Sequence, residues 1–218
     1  MLKGYIQPYE VGVGLGYDLS DTQLLAEVAV AIEFCEMAVD QYCDTQFQWE
    51  PDASKVYDGS GTNMLTLGSY LRTLKGVWML GTESNERVTQ ITDAVAQPTP
   101  LRDQKAYRWL QRREATSESG QTIAPNLFPA GLGNVEVVGD WGWEPEEMPT
   151  AVKQALMYCV KHFFDLRLYN DLVQMDSGLG RTLVFKTPKQ GVDLPVHYVP
   201  EVARRILSKW KNSRWMTE

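Results

Sequence analysis

The hydrophobic period of this chain changes twice, and that constrains its fold more than any single motif. Leu24, Val28, Ile32, Cys35, Val39 and Tyr42 recur at helical steps of three and four. From Gln46 to about Trp141 the period falls to two, with turn residues at short intervals. Val152, Leu156, Cys159, Phe163 and Leu166 then restore the helical step. Side chains alternate across a strand but return every 3.6 residues on a helix, so the order must be helix, β-region, helix.

The expected fold class is therefore α+β: a helical body of two long antiparallel helices, with an inserted β-rich region and a C-terminal arm carrying a short helix. The corresponding segments are a lead-in at 1–19, the body at 20–45 and 147–172, the insertion at 46–143 and the arm at 173–218. Ser20-Asp21-Thr22-Gln23 fits a capping box for the first helix. Leu25, Ala29, Ala31 and Ala38 widen its apolar surface, while Glu27, Glu33, Glu36 and Asp40 take other faces. Pro149 suits the first turn of the second helix, with Glu146 and Glu147 favouring the positive end of its dipole. Two stripes of this size can close a core against each other.

Within the insertion, SKVYDGSGTNMLTLG reads as two strands around an Asp-Gly-Ser-Gly turn. LRTLKGVWML, ERVTQIT and YRWLQRR are further strands, and VAQPTPLRDQ and EATSESGQTIAP read as loops. The stretch from Asn134 to Met157 runs alternation into a Trp-Gly-Trp corner before the helix starts. VGVGLG, near the N-terminus, lacks the strand-turn-helix spacing of a dinucleotide loop and reads as a flexible lead-in. RTLVFKT is a strand candidate beyond Asn170. A last helix spans about Pro200 to Trp210, where Ile206 and Trp210, four apart, could anchor on an apolar groove.

The residues that carry chemistry are sparse. Cys35, Cys43 and Cys159 form no CxxC pair and read as buried thiols, not a disulfide framework or a zinc site. His162 and His197 assemble no triad, and no helical His pair with a glutamate exists; His162 and Asp165, three apart, read as a hydrogen-bonded pair. No metal, cofactor or catalytic residue is expected. Glu144 and Glu146 could only serve hydrolysis as a spaced carboxylate pair, and their place at a helix start explains them without catalysis. Arg108, Arg112 and Arg113 beside Tyr107 and Trp109 read as a solvated strand face, with nucleic-acid stacking as the alternative. No run of about 18 apolar residues occurs, and the start MLKGYIQPYE lacks a signal-peptide core, so a soluble chain with no membrane partner is expected. Charge is uneven. Residues 1–180 hold 25 acids against 13 bases, and residues 181–218 hold 3 against 8, so a basic tail follows an acidic body.

In order along the chain come a LLAEVAVAIEFCEMAV helix, Phe47, the turn Tyr57-Asp58-Gly59-Ser60-Gly61, the strand Leu65-Thr66-Leu67, Gly131-Leu132-Gly133-Asn134-Val135-Glu136-Val137, the step Gly142-Trp143, Pro149 and a long helix, and finally LPVHYVPEVARRILSKWKN. This order resembles the head-tail connector, or adaptor, proteins of tailed bacteriophages over most of residues 20–210, with the long loops at 94–104 and 114–126, and Trp143 in place of the usual Tyr, as departures. The resemblance implies a structural virion protein with no enzymatic activity. It would be a ring homo-oligomer, commonly of twelve copies, beneath the portal protein, offering a platform to the next neck or tail protein. Double-stranded DNA would pass without sequence-specific binding. Localisation would be the virion neck, and the host cytoplasm during assembly. The corner Gly139, Trp141, Gly142, Trp143 and Pro149 would set the angle between β-region and helices. The C-terminal segment would reach the portal, making Arg204, Arg205, Ile206, Lys209, Trp210, Lys211 and Arg214 the contact candidates. The alternative of another class is a β-rich carbohydrate- or ligand-binding module on a helical base, stacking sugars on Trp78, Trp109, Trp141 or Trp143, and a third is a hydrolase using acids of the 136–147 region.

Overall fold

The alternation after Gln46 becomes a six-stranded antiparallel sheet, the largest element of the chain. The computed structural model describes residues 3–18, 20, 22–81, 86–98, 106–116, 122–168, 174–177, 181–184 and 199–211. Two compact units emerge, Phe47–Trp143 on one hand and Met1–Gln46 with Glu144–Glu218 on the other.

The first unit holds β1 (Glu50–Gly59), β2 (Met64–Leu80), β3 (Arg87–Gln90), β4 (Ala94–Pro98), β5 (Tyr107–Arg112), β6 (Glu114–Thr116), β7 (Thr122–Pro125) and β8 (Gly131–Trp141). Its main sheet runs β1-β8-β2-β5-β4, with β3 also on β2, while β6 and β7 form a separate pair. β2 is 17 residues long because LTL and LRTLKGVWML, two strands by their spacing, are one. Its first part pairs with β5 and its second with β8, with register shifts between Leu71 and Thr73 and between Leu74 and Gly76. Those irregularities let Leu65 and Leu67 from one part and Val77 from the other join Leu110, Phe128, Val135, Val137 and Trp141 in one core. β1 and β2 are not neighbours, since β8 lies between them, so the Asp-Gly-Ser-Gly turn closes no hairpin.

The second unit holds α1 (Pro8–Leu15), α2 (Thr22–Cys43), α3 (Thr150–Leu168), a hairpin of β9 (Gln174–Ser177) and β10 (Arg181–Val184), and α4 (Glu201–Leu207). α2 packs on α3, and α3 also takes α1 and α4. Gly14 of α1 lies so close to Met157 that a Cβ there would sit 1.8 Å from its terminal methyl, and Lys153 of α3 pairs with Glu10 at 2.8 Å.

The expected helical body of two long antiparallel helices is thus corrected to a mixed fold, with the six-stranded sheet and four helices of at most 22 residues among the described residues. The physical reason is twofold. The β-region buries a core of its own, and the apolar surface of α2 and α3 is shared with α1, α4 and the N-terminal residues Tyr5 and Ile6, all carrying buried side chains. The lead-in contains a helix, since Gln7 and Glu10 supply a capping box and Gly16, with φ 72°, closes the other end. The segments read as loops contain β4, β6 and β7, because cross-strand partners override their Pro, Ser and Thr content.

Candidate functional site: the tryptophan corner, the terminal helix and the N-terminal latch

The corner belongs to the sheet unit. Trp141 ends β8 fully buried, and its indole N–H donates to Ala53 O at 2.9 Å. Gly139 allows β2 to approach, since a Cβ there would lie 2.3 Å from Thr73 O. Gly142 turns the chain with φ 69° and donates its N–H to Tyr70 O at 2.9 Å, and its own Cβ would lie 1.9 Å from Gln48 O. Trp143 then donates its N–H to Phe47 O at 3.0 Å and stacks on the Phe47 ring at 5.8 Å, with Tyr70 at 4.9 Å. The first and last residues of the unit are therefore bound to each other. Pro149 is buried just before α3, where its carbonyl accepts the Val152 N–H at 2.9 Å. Glu146 and Glu147 are exposed in a 3-10 turn, Pro145–Glu147, upstream of α3 and not in its first turn. Glu144 is exposed beside them.

Three of the four stacking platforms are occupied, and the fourth, Trp109, is half-buried. Trp141 and Trp143 are buried, and Trp78 lies across Gly76 with the Arg87 guanidinium 4.2 Å from its ring centroid. The basic strand is a solvated face only in part: Arg113, just past its end, is exposed, but Arg108 is buried on Tyr70, with its guanidinium 4.0 Å from the ring and bonded to the hydroxyl, and Arg112 grips Asp93 through Nε at 3.0 Å. Arg112 and Asn126 hold the Asp93 carboxyl below its ordinary range against the opposing effect of its burial, the largest single influence. No group of three or more metal-ligating side chains occurs among the described residues.

The terminal helix splits its candidates by depth. Ala203, Leu207 and Trp210 are buried, so Trp210, in the 3-10 turn Ser208–Trp210, serves the unit's own packing. Ile206 is half-buried. Arg204 is half-buried too and bonds Val199 O at 2.8 Å, while its carbonyl accepts the Tyr42 hydroxyl at 3.3 Å. Arg205, Lys209 and Lys211 are exposed; Arg205 pairs with Glu201 at 3.2 Å and Lys211 lies 5.3 Å from the Tyr42 ring. Arg214 and His197 lie outside the described residues.

No family model matches the sequence, and no curated protein matches it. Several solved chains match it, and two that share its fold along the whole length come from particle necks. One, from the neck of an empty GTA particle determined with C6 symmetry, has a TM-score of 0.54 and 12% identity over 100% of this chain and 95% of that one. The other, from the neck of a native GTA particle determined with C12 symmetry, has a TM-score of 0.52 and 14% identity over the same shares. GTA denotes a phage-like gene transfer agent. The chain has the fold of a phage-like neck protein.

Within this neck fold the motif residues have structural work. Gly59 cannot carry a side chain, because a Cβ would lie 1.7 Å from Pro129 O, and Asn134 accepts the Gly59 N–H at 2.8 Å. One cluster escaped sequence reading. Glu36, fully buried on α2, accepts the backbone N–H groups of Lys3 at 2.7 Å and Tyr5 at 2.9 Å. Asp40, one turn on, accepts the Tyr5 hydroxyl at 3.0 Å and the Lys3 ammonium at 2.5 Å. These acids are placed on polar faces by spacing alone, yet α2 has no wholly polar face once its alanines are counted, and that was the available signal.

Proposed function

We propose that this chain is a structural neck protein: a head-tail adaptor that rings the portal, continues the DNA conduit and receives the next neck or tail protein. The observation that carries the reading is the fold likeness to phage-like neck chains over its whole length. The C6 and C12 symmetries of those necks support a ring of identical copies, twelve in number. Arg205 on α4, Lys209 in the 3-10 turn after it and Lys211 just beyond, all exposed, are the portal-facing cations of this reading, with Ile206 and Arg204 beside them and Trp210 bracing the segment from within. The acidic excess of residues 1–180 suits a channel that repels phosphates and so lets double-stranded DNA slide. The site of action is the virion neck, reached by assembly in the host cytoplasm.

Mixing the purified chain with its cognate portal tests this directly. Negative-stain images should show portals capped by an added ring, and Arg205→Glu with Lys209→Glu should strip the cap. Portals that remain bare with the unmodified chain would overturn the reading.

A further inference from the structure

One end of the sheet is closely hydrogen-bonded and poor in charge, with the exposed Asp58 at its edge. Residues 59–64 and 126–135 meet there and contain no charged side chain, in a chain that is 22% charged. Gly59 and Gly131 face each other across β1 and β8, and a Cβ on Gly61 would lie 3.3 Å from the Ala130 methyl. Asn134 bridges the two segments, accepting the Gly59 N–H and donating to Pro129 O at 3.0 Å. Asp58 accepts the Gly133 N–H at 2.7 Å, and the buried Phe128 donates its backbone N–H to Thr62 O at 2.7 Å. Behind them Arg112 reaches Leu127 O at 2.7 Å while Asn126 and Arg112 share Asp93.

On this frame four large apolar side chains face solvent: Leu132, 89% exposed, Val56 at 54%, Leu127 at 48% and Met64 at 46%. The tip is ordered before any partner arrives, so little further conformational freedom is lost on binding. Its two segments carry no lysine or arginine, and the nearby Arg87 is paired with Glu136 while Asp58 is acidic, which argues against a phosphate backbone. Strand addition at the β1 edge is a poorer route, because Lys55 shares the core-side face with Ala53 and Tyr57, over Trp141, and register shifts interrupt both ends of β1. Four side chains fall far short of the roughly 800 Å² per partner of a stable pairwise interface. A ring would repeat them once per copy, so that weak contacts act together on a partner of matching symmetry.

We infer that the Leu132 tip is the surface on which the ring receives the next neck protein, through an uncharged apolar pocket on that partner. The inference rests on the adaptor reading above. Its test uses heads carrying the portal and this chain, mixed with purified tails that bear the next neck protein. Leu132→Asp should lower tail joining about tenfold or more, and Leu132→Ala by less, with the portal ring unchanged in negative stain. Both variants change a side chain that packs on little, and circular dichroism checks their folding. Unchanged joining with both overturns the inference and leaves the adaptor reading intact. Loss of the ring itself from Leu132→Asp heads would assign the tip to contacts between copies and overturn the inference as well. Binding of the unmodified chain, but not Leu132→Asp, to phosphatidylcholine vesicles would also overturn it in favour of a lipid surface. An unmodified chain that never rings the portal fails the adaptor reading instead.

Discussion

Both units of this chain fasten an outlying segment to their body, and they do it with opposite chemistry. The sheet unit ties Phe47 to Trp143 with a backbone hydrogen bond and stacked rings, and Gly142 to Tyr70 with another, so backbone hydrogen bonds and ring packing hold the knot. The helical unit ties Lys3 and Tyr5 to two acids of α2. A neutral, close-packed knot is indifferent to pH and salt but intolerant of added volume. An ionic latch tolerates small changes of shape and answers to protons.

The most damaging way to break the knot is Gly142→Ala. The new methyl would meet the Gln48 carbonyl at 1.9 Å, and the residue must hold φ 69°, which disfavours any side chain. A loss of about 4 kcal/mol or more is expected, read as a lower urea midpoint with tryptophan fluorescence as the probe. Retention of the midpoint would show that Gln48 and Trp143 part easily and that the knot is not what closes the unit.

Breaking the latch costs somewhat less. Glu36→Ala leaves two backbone donors without an acceptor in a buried site, a loss of about 3 kcal/mol, and Glu36→Gln, which keeps one acceptor oxygen, about half that. Because the latched segment is short, the sensitive readout is hydrogen exchange at the Tyr5 amide, which should lose protection in both variants while amides of Val135 and Val137 keep theirs. Equal protection of Tyr5 in Glu36→Ala would remove the latch from the comparison.

The two ends also differ in how legible they were. Alternation along Val135-Glu136-Val137 and the stripe of α2 were local signals, and they marked strand and helix. Pairing was not local: nothing in YDGSGTNMLTL says that β8, some 70 residues on, will lie between β1 and β2. The Gly-x-x-Asn spacing was visible, but its purpose, an Asn134 amide bridging Gly59 to Pro129, needed the fold. The Glu36 latch was hidden for the same reason, its donors lying 31 and 33 residues upstream. The helix in VGVGLG is masked by its glycines, of which Gly14 lets α1 approach Met157 and Gly16 caps the C-terminal end.

The smallest effect is the most discriminating, because the two units should answer acid with opposite signs. Burial of Glu36 raises its pKa above the ordinary value of 4.5, and the like charge of Asp40 adds to this, outweighing the Lys3 and Tyr5 amides and the Lys3 charge. A carboxyl with a raised folded pKa binds more protons folded than unfolded between the two values, so its unit loses stability as pH rises through that window and stays level above it. On the sheet, Arg87 bonds Glu136 at 2.5 Å, with Ser54 also at 2.5 Å, and lowers its pKa; Lys75 does the same for Asp140. Those carboxylates contribute stability that is present above their unfolded values and is lost as pH falls through the lowered ones. Intrinsic-rate-corrected exchange should therefore show Tyr5 protection falling as pH climbs above about 4.5, and Val135 protection falling as pH drops below about 4. Glu36→Gln should flatten the first profile and Glu136→Gln should shrink the second, each leaving the other unchanged. If Tyr5 and Val135 weaken together in acid, burial does not dominate at Glu36, and the latch is an ordinary ion pair like those of the sheet.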